Sequence, residues 1–205
     1  MKLLIAFFIF SLVLFIYLHV HHQLKLSNDL EVLEIDMPSK DKLEEVCDIR
    51  QPIIISPSLQ SDGLMETCTK SYIHQNYGSF DLLVHSIKSD IDHKNTPVIP
   101  LTANETIDLF NKDIEGVYFT EGNQAFLTET GMKKKFQYND SLFRPYMVSS
   151  CKYDIMFAST NTVTPLRYLL NYRNYFYVTE GAITVKIIPP KYTKYLYPTK
   201  DYETL

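Results

Sequence analysis

The sequence predicts an α+β protein with an N-terminal transmembrane helix. Three observations predict it. Residues 3–18, LLIAFFIFSLVLFIYL, are apolar, with only Ser11 and Tyr17 as polar interruptions. Short helical patterns then alternate with β-rich runs, and the β content rises toward the C-terminus. The strongest β signal lies in residues 163–190. There Tyr175, Phe176, Tyr177 and Val178 form one run, and Thr179-Glu180-Gly181 marks a turn. Ile183, Val185 and Ile187 then alternate with Thr184 and Lys186. Pro189-Pro190 ends this second arm, because proline has no N–H to give a ladder. Such a hairpin needs further strands to bury its apolar face.

Extended by His19 and Val20, the apolar run is 18 residues, or about 27 Å as a helix. It is longer than a usual signal-peptide core, and residues 17–22, YLHVHH, offer no small-x-small cleavage site. The expectation is therefore a single-pass membrane protein anchored through residues 3–20. Lys2 and Lys25 on either side leave the orientation open.

Composition excludes several function classes. A net charge of −4 is too mild for a nucleic-acid footprint, and 6 glycines in 205 residues leave little for a phosphate-cradling loop. Fifteen Tyr and twelve Phe, with no Trp, fit an ordered β-rich fold. Cys47, Cys68 and Cys151 are odd in number and show no metal-ligand spacing. Buried free thiols are expected, with one disulfide and a spare thiol as the alternative. No Ser nucleophile elbow, Walker loop or HExxH occurs.

In chain order, residues 23–39 read as a polar stalk, with a short strand at 30–35. Ser39 caps a helix over 40–50, and Ile53-Ile54-Ile55 suits a short strand. Asp62 caps a helix over 64–76 that Gly78 ends. Residues 80–87 read as a strand, 89–96 as a charged loop and 97–101 as extended. Thr102 with Glu105 makes a capping box for a helix running to about 113. A short helix over 124–130 is closed by Gly131. Further strands are expected at 136–138, 146–151 and 153–158. The sequons at Asn104 and Asn139 are glycan acceptors only in a lumenal domain.

Thr164-Pro165-Leu166-Arg167-Tyr168, followed by Asn174-Tyr175-Phe176 and Glu180-Gly181, resembles the JmjC-type cupin-like family. Tyr195-Leu196-Tyr197-Pro198 is similar to that family's segment after the paired prolines, and residues 48–54, DIRQPII, to its opening. The resemblance covers about residues 43–205. More narrowly, the layout resembles membrane-anchored cupin-like proteins of large DNA viruses of protists. It implies an anchor over 1–22, a stalk over 23–39 and the N-terminal portion of a cupin-like domain over 40–205. The fold so implied is an incomplete double-stranded β-helix, or jelly roll, with flanking helices. Its open edge would be covered by a protein partner or by self-association. The location implied is a host endomembrane or a virion membrane.

Family enzymes use Fe(II) and 2-oxoglutarate, with iron held by two His and one carboxylate. The His-x-Asp positions correspond to Arg167 and Leu169, and the co-substrate lysine to Ile183. Arginine stays protonated and leucine has no donor atom. No cofactor, no metal site and no catalytic residue is therefore expected. The leading expectation is a non-catalytic, structural or interaction protein. One alternative is a hydroxylase-like enzyme with ligands from elsewhere. A second is an anion- or glycan-binding module. For that module the candidate ligand residues are Arg167, Tyr168 and Arg173, since Arg beside aromatics suits phosphate or sugar, and the resemblance adds Thr164, which corresponds to a position that contacts 2-oxoglutarate in family enzymes. His85 and His93, with Asp81 or Asp90, are a weaker metal candidate.

Overall fold

In the computed structural model, residues 2–19, 26–56, 63–87, 98–169 and 171–197 are described. The chain is α+β with a small antiparallel sheet, and it divides into two units. The first comprises Met1–Ser58 and Thr184–Leu205; the second is Leu59–Ile183.

The first unit begins with α1 (Lys2–Leu18), which buries none of its side chains. This corrects the expected membrane anchor. The 17 residues of α1 rise only about 26 Å against a hydrocarbon core of about 30 Å. Among the described residues no helix is long and apolar enough to cross a membrane. The single-pass membrane location that rested on this helix is overturned with it.

Next come β1 (Leu33–Asp36), α2 (Lys40–Cys47) and β2 (Ile53–Ser56). β1 and β2 pair in parallel, Leu33 beside Ile53 and Ile35 beside Ile55. The parallel pair needs a crossover, and α2 supplies it. Ser39 caps α2 by accepting from Lys42 N at 3.4 Å, and Leu43 and Val46 are its buried face.

In the second unit, the single helix expected over 64–76 is two: α3 (Leu64–Thr67) and α4 (Lys70–Tyr77). The two threonines compete with the helical backbone. Thr67 Oγ1 donates to Leu64 O, and Thr69 Oγ1 accepts from Tyr72 N, starting a new helix. The expected Asp62 cap lies outside the described residues, as do the 89–96 loop and His93.

β3 (Asp81–Ser86) is the centre of the antiparallel sheet, between β4 (Ile99–Thr102) and β5 (Tyr118–Thr120). Residues 157–159 extend the β5 side. Phe119 bridges to Ala158, Thr120 N donates to Phe157 O, and Ser159 N donates to Tyr118 O. α5 (Ala103–Lys112) carries the expected capping box. Glu105 N donates to Thr102 Oγ1 at 3.3 Å, and Thr102 N to Glu105 Oε2 at 3.0 Å. Its buried face, Ala103, Thr106, Ile107 and Phe110, lies toward β3, β4 and α4.

α6 (Gln124–Glu129), α7 (Lys133–Gln137) and α8 (Asp140–Phe143) follow. The strand expected at 136–138 is therefore mostly helix, and residues 146–151 form no strand. Phe136 stacks at a tilt on Tyr153, 6.2 Å between centroids, so one ring on one side of a helix satisfies what looked like a β run. The main core gathers Leu64, Cys68, Ile73, Leu82, Ala103, Phe126, Leu127, Met132 and Ile155. Tyr77, Phe80 and Phe126 meet edge to face at 6.1 to 6.4 Å, the geometry their ring quadrupoles favour. All three cysteines are free thiols, Cys68 buried, Cys47 half-buried and Cys151 exposed.

The expected incomplete jelly roll is also corrected. Residues 173–179 and 182–189 join no ladder, and the sheet stays at three strands plus one bridge. A two-armed hairpin has to bury one face to be stable, and among the described residues no further strand lies against these arms.

Candidate functional site

Of the four candidate residues, Arg167 is built into the fold. β5 brings Phe119 to the interior, 1% exposed, with its ring stacked 5.3 Å from that of His85 on the neighbouring β3. Arg167 places its guanidinium carbon 5.7 Å from the same Phe119 ring. Glu121, just past β5, completes the group. Its carboxylate pairs with Arg167 Nη1, and its backbone carbonyl lies 3.2 Å from His85 Nε2. A carbonyl only accepts, so Nε2 carries the proton in that contact.

The turn that positions Glu121 is clamped from behind. Gly122, at φ +79, and Asn123 each donate a backbone N–H to the Asp154 carboxylate at 2.8 Å. Asn123 is itself buried. Its Oδ1 accepts from Leu83 N at 2.8 Å, and its Nδ2 donates to Ile155 O at 2.7 Å. These bonds tie the end of β5, the start of α6 and residue 155 into one rigid corner.

The other candidates are not gathered there. Tyr168 is 85% exposed. Thr164 is exposed, and Arg173 lies 5.4 Å from the ring of its neighbour Tyr172. Two open grooves of about 360 Å³ each flank the loop after α5 and share Asp113 and Ile114. None of the four candidates lines either groove. The Asp113 carboxylate in those grooves is already committed to the loop. It accepts from Gly116 N, Val117 N and Tyr118 N at 2.7 to 3.1 Å.

The iron of the family enzymes does not fit these residues. Arg167 is a permanent cation held by a carboxylate, and Leu169 is half-exposed hydrocarbon. Among the described residues no group of three or more His, Cys, Asp or Glu is placed to hold a metal ion. Asp90 and His93 of the weaker metal candidate lie outside the described residues.

Sequence reasoning missed Phe119, Glu121 and His85 as the surroundings of Arg167. Glu121 is 46 positions away in the chain, and no local pattern links the two. No protein-family model, no curated protein and no solved structure matches this chain.

Proposed function

We propose that this chain is a non-catalytic protein that works through binding or structure, and that its likeness to JmjC-type cupin-like sequences is one of motif without the iron chemistry. One observation carries this reading. The position corresponding to the first iron ligand holds Arg167, and that guanidinium is engaged by Glu121 and Phe119. A residue already neutralised by a carboxylate and seated on an aromatic face is a tether between residues 119–121 and the segment after Pro165. It is not an open coordination position.

The same pairing weighs against an anion site at Arg167, because Glu121 already supplies the negative charge. The test is made on the purified full chain. Elemental analysis after incubation with Fe(II) should find iron far below one equivalent. Conversion of 2-oxoglutarate to succinate, with Fe(II) and ascorbate supplied, should stay at the level of a protein-free control. Stoichiometric iron together with chelator-sensitive turnover would overturn the reading.

A further inference from the structure

The corner at residues 179–181 is fastened to α4 and to the turn before it. Glu180 Oε2 accepts from Lys70 N at 2.8 Å, at the start of α4, and Thr179 Oγ1 donates to Cys68 O at 3.2 Å. Gly181 then turns the chain with φ +76. Beyond it, residues 182–188 run without secondary structure and are exposed throughout. Ile183, Val185 and Ile187 are 55%, 51% and 63% exposed. Among the described residues, none of 182–188 makes a backbone hydrogen bond. A fixed corner thus precedes seven residues of high β-propensity with free N–H and C=O groups. Such a strand is a template for another chain.

We propose that residues 182–188 pair antiparallel with the same residues of a second copy of this chain, centred on Val185. The proposal rests on the reading of this chain as a binding or structural protein and names its partner.

The sequence of the strand selects that partner. Centred on Val185, the two copies place Ile183 opposite Ile187, Val185 opposite Val185, and Thr184 opposite Lys186. All six branched apolar side chains of the odd-numbered positions share one face. The other face carries both lysines, and neither faces the other. Moving the centre by one residue, to Lys186, sets the two lysines directly opposite one another, which like charges disfavour. In the register centred on Val185, Pro189 falls opposite Gly181, at the margin of the ladder, where the missing proline N–H does no harm. The pairing is isologous, as a twofold dimer requires. Seven paired residues span only about 24 Å, well short of a standard interface, so the dimer dissociates on dilution.

Sedimentation velocity of the full chain from about 5 to about 500 µM tests this, and a reversible monomer–dimer equilibrium is expected. Thr184→Glu sets a carboxylate opposite Lys186 twice per dimer and should tighten association roughly five- to tenfold. Thr184→Lys sets two lysine pairs opposite one another and should weaken it by a similar factor. Val185→Pro removes an N–H at the centre and should abolish it. Thr184 and Val185 are exposed, so unchanged circular dichroism should accompany all three variants. A chain that stays monomeric throughout, one that forms open-ended aggregates, or charge variants that shift in the same direction would each overturn the proposal. Succinate production from 2-oxoglutarate, measured on the same preparation, reports separately on the non-catalytic reading.

Discussion

Asn123→Ala is the sharpest test of how this fold is held. The Asn123 side chain is 2% exposed and satisfies two backbone groups that the sheet cannot. Leu83 stands opposite Pro100 on one side of β3, and the pairing with β5 begins only at Val84. Asn123 Oδ1 therefore replaces a ladder partner for Leu83 N, while Nδ2 does the same for Ile155 O. Truncation to alanine leaves that N–H and that C=O without partners in the interior. Each buried unsatisfied group costs about 1–3 kcal/mol, so the pair should cost about 3–4 kcal/mol. With a urea m-value near 2 kcal/mol per molar, the unfolding midpoint of the second unit should fall by about 1.5–2 M with the slope unchanged. Asn111→Ala, on the exposed side of α5, is the matched control and should stay within about 0.5 kcal/mol. Urea titration followed by far-ultraviolet circular dichroism measures both. A loss below about 1 kcal/mol at Asn123 would show that the corner is held by something other than these two bonds.

Gly78 ends α4 with φ in the ordinary helical range, so it is there for space and not for turn geometry. A Cβ at this position would collide with the Asn104 side-chain amide. Gly78→Ala should therefore cost about 1–2 kcal/mol. In an Asn104→Ala background the same change should be neutral or slightly stabilising, because the obstacle is gone and the unfolded chain loses freedom. Equal costs in both backgrounds would refute the steric account. Tyr153 gives the pH dependence. Burial, and then the Asp140 carboxylate 2.5 Å from its hydroxyl, hold its proton well above the usual phenol range. Below a pH of about 10 the folded and unfolded chains both keep the proton and the contribution is constant. Above it only the unfolded chain releases the proton, so stability falls with rising pH. Denaturant titrations at steps between about pH 9 and 11 should show the wild-type advantage over Tyr153→Phe shrinking. Parallel curves would count against the buried phenol.

Which elements were legible depends on how far each signal reaches. The capping box of Thr102 and Glu105 and the Ser39 cap formed as expected, because each is decided within one helical turn. β2 and β3 formed within a residue or two of their expected places, since a short run of β-branched and other apolar residues marks a strand locally. β5 has no such local signal. Tyr118, Phe119 and Thr120 are a strand because β3 lies on one side and residues 157–159 on the other. Residues 136–138 mislead because an aromatic cluster looks alike in a strand and in one helical turn. At the candidate site, the sequence showed that Arg167 and Leu169 cannot bind iron. It could not show that Glu121 holds Arg167, since that depends on where β5 sits.

By itself, then, the amino-acid order determined the α+β class, the helix caps and the absence of ligand atoms at two motif positions. All of these are properties of single residues or of neighbours within one turn. Tertiary structure alone decided which strands find partners, and that, among the described residues, 182–188 have none. A strand is completed only by backbone groups from elsewhere, so β-propensity states a capacity and the fold decides whether it is used.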